Sequence, residues 1–193
     1  MKKEFEMSML GELALFLGLQ VSQSYKGIFI TQTKYIKGML KKFMLEYSKP
    51  VSTPMVIGCS LSKDDESLEV DHTMYRSMIG SLLYVTTTRQ DVIQVVGLVA
   101  RFQLAPKETH AIAVKIILRY LKGTIEYGLW CLGGQDFTLK EFIDADWYRS
   151  LDDQNSTSGK TFYFGDCLVS WLRKKQSSIA LSIAEAEYIF ATS

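Results

Sequence analysis

The sequence predicts an α+β fold: a β-hairpin, then a helical region, then an incomplete antiparallel sheet followed by the start of a helix. Three observations carry this. Near the N-terminus, short apolar and aromatic runs flank a polar loop that ends in glycine. Between Thr31 and Phe43, and again from Tyr75 to Thr124, apolar residues recur at helical spacing. From Tyr127 the texture changes to short runs of strand character, separated by turns rich in Ser, Thr, Asn and Gly.

The 193 residues allow one large domain or two small ones. A hydrophobic fraction of 47% and an aromatic fraction of 12% suffice for a core, which excludes wholesale disorder. The 22 Lys and Arg are matched by 21 Asp and Glu, so any nucleic-acid surface must come from local clustering. Cys59, Cys131 and Cys167 are odd in number and form no Cys-x-x-Cys pair. That argues against a zinc site or a disulfide framework and for reduced thiols in an intracellular compartment, cytoplasmic or nuclear. Lys2 and Lys3 before the apolar run Leu13 to Leu19 mimic a secretion signal, but Glu4, Glu6 and Glu12 interrupt it. The expectation is a chain that is not secreted and has no membrane partner, since no run approaches the ~20 apolar residues of a span.

The elements follow in order. Leu15 to Val21 and Gly27 to Ile30 flank Ser22 to Lys26 as a hairpin, and Thr31 suits the N-cap of a helix. That helix carries a stripe of Tyr35, Ile36, Met39, Leu40 and Phe43. Residues 48–71 read as a loop, broken by Pro50, Pro54, Gly58 and the acidic run Asp64 to Glu66. Three helices follow: Tyr75 to Thr86, one starting near Asp91, and one starting after Pro106 and stopping at Gly123. The last buries Val114, Ile117, Leu118 and Leu121 and carries a basic row of Lys115, Arg119 and Lys122. Strands are expected at Phe137 to Ile143, Thr161 to Phe164 and Leu168 to Trp171, with turns at Asn155 to Gly159 and Gly165-Asp166. Ser182 to Thr192 reads as a helix with Ser182 or Ile183 near its cap.

Chemistry concentrates at the C-terminal end. Asp144 and Asp146 point to one side of a strand that is about to end, and Glu187 lies in the first turns of the helix beyond. Oxygen-only ligands suit Mg²⁺ or Mn²⁺, which activate water and neutralise a phosphodiester. A two-ion site takes three or four carboxylates, and this chain supplies two or three. Strand-end carboxylates are also common as solvated surface, and Glu185 and Glu187 suit a helix start through the dipole alone.

The motifs, in order, resemble the Pol polyprotein of copia-type retrotransposons, from the end of the reverse transcriptase into ribonuclease H. They are Phe16-Leu17-Gly18-Leu19-Gln20-Val21, Gln32-Thr33-Lys34-Tyr35-Ile36 and Tyr75-Arg76-Ser77-Met78-Ile79-Gly80-Ser81-Leu82-Leu83-Tyr84. Next come Leu118-Arg119-Tyr120-Leu121-Lys122-Gly123-Thr124, Tyr127-Gly128-Leu129, Asp144-Ala145-Asp146-Trp147, Ser156-Thr157-Ser158-Gly159, Ser170-Trp171 and Glu185-Ala186-Glu187-Tyr188. Each piece is weak; the ordered set is specific.

The resemblance implies three parts: residues 1–30 as the end of the polymerase palm with its primer-grip hairpin, 31–125 as helical thumb and connection, and 126–193 as a truncated ribonuclease H-like domain. Leu17 and Gly18 would grip the primer end. Lys34, Lys41, Lys115, Arg119 and Lys122 would contact phosphates of a primer-template duplex or an RNA/DNA hybrid. Asp144 and Glu187 would be catalytic carboxylates holding Mg²⁺ or Mn²⁺ in the parent enzyme, with Asp146 and Glu185 as neighbours. The chain also departs from the family. It has no Tyr-x-Asp-Asp turn, the later ribonuclease H carboxylates lie beyond Ser193, and Gln90, Ala111 and Tyr148-Arg149 replace the usual residues. The expectation is a fragment of a reverse transcriptase/ribonuclease H, inactive alone and binding no metal tightly. The alternative is a non-catalytic nucleic-acid-binding or protein-interaction module, or a half-domain completed in trans. The strand bearing Asp144 would then be left with an unpaired edge.

Overall fold

Leu17 and Gly18 both adopt left-handed backbone (φ +48° and +83°), and this breaks the first apolar run into two strands. The computed structural model describes residues 14–56, 61–63, 66–134, 138–146, 156–176 and 182–191. In it, β1 (Leu15–Phe16) turns through Leu17-Gly18 into β2 (Leu19–Ser24), which turns again through Tyr25-Lys26 into β3 (Gly27–Thr31). The residue pattern alone predicts only the second of these hairpins, while the first turns at Leu17-Gly18, where the resemblance implies the primer-grip hairpin. Thr31 ends β3, and the cap of the next helix is Gln32.

Helix α1 (Thr33–Lys42) buries Ile36, Met39 and Leu40, with Phe43 just beyond its end, along the stripe the spacing predicts. Helix α2 (His72–Val85) starts three residues earlier than predicted, because Asp71 accepts the Thr73 N–H at 2.8 Å as an N-cap. A 3₁₀ turn at Gln90–Val92 leads into α3 (Ile93–Val99), and α4 spans Glu108–Gly123. Lys107 caps α4, so Pro106 precedes the cap instead of occupying the first turn. Val114, Ile117, Leu118 and Leu121 of α4 are fully buried against Tyr75, Ile79 and Leu82 of α2 and Val92, Val96 and Val99 around α3. This helical body holds the apolar core.

Strand β4 (Leu129–Leu132) returns from α4 to pair antiparallel with β3, completing a first sheet in the order β1-β2-β3-β4. A Cβ on Gly27 would lie 2.2 Å from the Cys131 carbonyl oxygen, so the register of this pair requires glycine there. The Thr33 hydroxyl donates to the Ile125 carbonyl at 3.2 Å and fastens the two ends of the helical region together.

The second sheet has the order β5-β6-β7 and is antiparallel throughout: β5 (Leu139–Asp146), β6 (Thr157–Phe164) and β7 (Cys167–Lys175). Thr157 to Gly159, expected as a turn, are strand residues opposite Asp146 to Asp144. Helix α5 (Ile183–Ala191) packs against β5, and the Glu185 N–H donates to the Ser182 hydroxyl at 3.1 Å at its start. The α+β class therefore stands, with two antiparallel sheets and a helical core. Cys131 of β4 and Cys167 of β7 form a disulfide, which corrects the expectation of reduced thiols for this pair. The 36-residue separation hid it, because β4 and β7 meet only in the folded chain. Cys59, Asp64-Asp65, Phe137, Tyr148-Arg149 and Lys2 to Leu13 lie outside the described residues. Among the described residues, no helix is long and apolar enough to cross a membrane.

The second sheet contributes no large apolar side chain to the buried core, and Leu139, Phe142, Ile143, Val169 and Leu172 are exposed on it. Burial is the main source of stability, so β5–β7 should open well before the helical body. In native-state hydrogen exchange, the amides of β5–β7 are expected to exchange faster than those of α2 and α4. Equal, slow protection of both would contradict this.

Candidate functional site

The second sheet brings Asp144 into a cleft. In cross-strand register, Asp144 lies opposite Gly159, and Gly159 opposite Arg173; one pleat away Phe142, Thr161 and Trp171 form the parallel row. Residues of both rows line a cleft of about 670 Å³ whose far wall is Gln90, Asp91, Ile93 and Gln94 of the helical body. Hydrogen bonds fasten the sheet to the helical body, one of them from Arg101 Nη2 to the Thr157 hydroxyl at 3.4 Å. Trp171 Nε1 donates to the Thr86 carbonyl at 3.0 Å, and Arg173 Nη1 donates to the Gln94 carbonyl at 2.6 Å. Asp144 itself is exposed.

Glu187 is exposed on α5, the helix packed against β5, and is not among the cleft-lining residues. Among the described residues, no group of three or more His, Cys, Asp or Glu side chains is placed to hold a metal ion. Asp144 and Glu187 thus occupy adjoining elements, but a two-ion centre needs more carboxylates than these two provide. The described donor set does not fit such a centre by itself.

The first hairpin is held rigidly at its tip. The Tyr84 hydroxyl donates to the Leu17 carbonyl, while the Leu17 side chain is 77% exposed. A Cβ on Gly18 would lie 2.8 Å from that hydroxyl. Tyr84 is steadied in turn by an edge-on ring contact with Tyr35 at 4.6 Å. An exposed apolar tip on a clamped turn can present one side chain to a partner with little further loss of conformational freedom on binding.

The basic candidates divide into two groups. Lys34 and Lys41 of α1 and Lys115 of α4 are exposed. Arg119 and Lys122 are half-buried and already engaged: Arg119 Nε donates to the Lys49 carbonyl at 2.6 Å, and Lys122 Nζ to the Ser48 carbonyl at 2.5 Å. These two pin the loop after α1 onto α4. The structure therefore gives them a packing task that the i, i+4, i+7 spacing did not reveal.

Sequence reasoning missed the most organised polar cluster. Arg89, 2% exposed, forks onto Asp91 through Nε (2.9 Å) and Nη2 (2.7 Å), and donates to the Thr124 carbonyl (2.8 Å) and hydroxyl (2.6 Å). Its guanidinium also lies near the rings of Tyr120 and Tyr127. The Tyr120 hydroxyl donates to Asp91 at 2.8 Å. Burial pushes the Asp91 carboxyl up, but the hydrogen bonds and charge of Arg89, together with the Tyr120 hydroxyl, outweigh it and hold Asp91 below the usual carboxylate range. Burial and the bond to Asp91 raise the Tyr120 phenol in turn. The signal was an Arg and an Asp two residues apart before an apolar helix, which sequence alone reads as surface.

His110 shows the same economy. It is fully buried in the first turn of α4, stacked on Phe102 at 3.9 Å, with Nδ1 accepting the Lys107 N–H at 3.0 Å and Nε2 facing the Ser62 carbonyl at 3.0 Å. One ring nitrogen accepts and the other donates, so it is a neutral structural histidine.

Residues 1–57 match the family of reverse transcriptases (RNA-dependent DNA polymerases). Over its whole length the chain is 39% identical to the retrovirus-related Pol polyprotein from transposon TNT 1-94 of Nicotiana tabacum, of which it spans 15%. It is 33% identical to an uncharacterized mitochondrial protein of Arabidopsis thaliana, over 95% of this chain and 76% of that protein. It is 39% identical over 60% of its length to secreted RxLR effector protein 161 of Plasmopara viticola, covering 82% of that protein. No solved structure matches. The similarity to the transposon TNT 1-94 polyprotein spans the whole chain, so the chain belongs to the copia-type retrotransposon Pol family and corresponds to a reverse-transcriptase-like piece of that polyprotein.

Proposed function

We propose that the chain is the duplex-holding segment between polymerase and ribonuclease H of a copia-type Pol protein, and that alone it neither polymerises nor cleaves. The clamped hairpin tip at Leu17-Gly18 carries this reading: an exposed apolar residue on a turn fixed by Tyr84 suits contact with a primer end. Lys34, Lys41 and Lys115 supply exposed charge for phosphates, and residues 126–193 form the ribonuclease H-like part. In the longer protein, Asp144 and Glu187 would contribute two carboxylates toward Mg²⁺ or Mn²⁺. The others would come from the rest of Pol, in the same chain or in trans. Such a protein works inside the cell, in cytoplasm or nucleus, where RNA/DNA hybrids form.

The experiment is titration of the full chain with a fluorescent RNA/DNA hybrid in Mg²⁺ at several salt concentrations. Binding is expected to weaken with salt, with the slope falling by about one for each of Lys34, Lys41 and Lys115 changed to Ala. The hybrid should stay intact. Cleavage that disappears in Asp144→Asn, or the absence of binding, would overturn the proposal.

A second reading has its own support. The similarity to a secreted effector covers most of that protein, and the helical body holds nearly all the buried core. A protein-interaction module built on this body would remain folded and ignore nucleic acid in the same titration.

A further inference from the structure

Strand β7 is docked at three points along its length. Cys167, its first residue, is bonded to Cys131 of β4. Further on, Trp171 donates to the Thr86 carbonyl and Arg173 to the Gln94 carbonyl. The last two ties are single hydrogen bonds to main-chain oxygens of the helical body. The first is covalent, and it joins one sheet to the other.

This bond stands apart from what folds each half of the molecule. Neither cysteine belongs to the apolar core, and both are half-buried, within reach of a small thiol. Each sheet also has its own hydrogen-bonded ladder at the cysteine: Cys131 stands opposite Ile28 of β3, and Cys167 opposite Phe164 of β6. Opening the bond leaves two small half-buried thiols and no cavity in the helical body. Both redox states can therefore fold, and they differ in how firmly the second sheet is held.

The bond spans 36 residues, a stretch that contains β5 and β6 whole. While closed, it limits how far that sheet can open from the body. Once it is open, the start of β7 loses its anchor, and Trp171 and Arg173 hold the strand by hydrogen bonds. Those two residues line the cleft with Asp144, so the state of the bond bears directly on access to that cleft.

We propose that Cys131 and Cys167 form a reversible thiol–disulfide site, opened by a dithiol reductant, which switches the second sheet between a clasped and a loosely docked state. A thiolate of the reductant attacks one sulfur of the pair, forms a mixed disulfide and releases the other cysteine as thiolate. The second thiol of the reductant then displaces the first. Two electrons and two protons pass to the chain, which ends with two thiols, and the reductant leaves as its own disulfide. Exchange with an oxidised dithiol runs the same steps backwards. The site stands on β4 and β7 alone and is independent of any nucleic-acid role.

The test is hydrogen exchange and thiol alkylation of the full chain in native buffer, before and after dithiothreitol, each followed by peptide mass spectrometry. Cys131 and Cys167 should be blocked to iodoacetamide before reduction and labelled after it. On reduction the amides of β5–β7 should exchange about tenfold faster, those of α2 and α4 should keep their rates, and oxidised dithiothreitol should restore the slow state. Cys131→Ser and Cys167→Ser should exchange at the fast rate with or without reductant, whereas Cys59→Ser should respond as the wild type does. Where a serine variant fails to fold, the reduced and reoxidised wild type decides. Labelling of both cysteines before reduction overturns the proposal, as does unchanged exchange in β5–β7 after it. Opening that requires denaturant, or that also strips protection from α2 and α4, would make the bond a structural cross-link and overturn the switch.

Discussion

Arg89→Leu is expected to lower the unfolding free energy by about 3 kcal/mol, measured by urea denaturation at neutral pH. The side chain is 1% exposed, and removing it takes the guanidinium from Asp91 and from the Thr124 carbonyl and hydroxyl, of which the carbonyl keeps the Tyr127 N–H at 3.0 Å. Breaking a buried pair from one side costs ~3–5 kcal/mol when the remaining charge stays buried. Asp91 is 37% exposed and keeps the Tyr120 hydroxyl, which places the loss at the lower end. The variant should also change the acid limb. A carboxylate held below its unfolded pKa stabilises the fold above the unfolded value, near ~3.9, and that contribution vanishes as pH falls through the folded value. Wild-type stability should therefore fall below about pH 4 more steeply than that of Arg89→Leu. Parallel acid limbs would show that Arg89 does not govern Asp91.

Leu118→Ala should cost about as much or more, ~3–4 kcal/mol, because a fully buried leucine leaves both its transfer energy and a cavity behind. Leu118 packs at the centre of the helical body among residues contributed by α1 to α4. The companion variant Phe142→Ser, on a largely exposed position of β5 whose ring meets Tyr163 edge-on at 5.5 Å, is expected to cost only about 1 kcal/mol. Thermal and urea unfolding of the two variants would show whether stability resides in the body. Similar losses from both would contradict that division.

The helical body was the most legible part of the sequence, for a physical reason. Ile36, Met39, Leu40 and Phe43, and then Val114, Ile117, Leu118 and Leu121, mark one face of a helix by spacing alone, and those faces are the ones buried. Strand β4 was not legible as part of the first sheet. Leu129 to Leu132 is a short run whose partner, β3, is distant in sequence, and no local pattern announces such a pairing. The start of β6 was misread because Thr157-Ser158-Gly159 has turn composition; these small residues are buried or half-buried in the strand. At the site, the position of Asp144 near a strand end was readable. The cleft around it was not, since its far wall comes from residues 90–94 of another element. Arg119 and Lys122 looked like surface charge because sequence cannot show which carbonyls approach them.

The pairing of Ile30 with Leu129, and the bond from Thr33 to Ile125, give the helical region neighbouring points of departure and return. Everything between them behaves as a cassette set into a continuous sheet, with its two ends side by side. The surface loops of such an insertion can be lengthened or trimmed while its entry and exit stay side by side, whereas α2 and α3, which hold the hairpin tip and β7, must keep their places. Pairing β4 with β3 closes a loop as long as the cassette, so the entropic cost of completing the sheet falls once the cassette has folded.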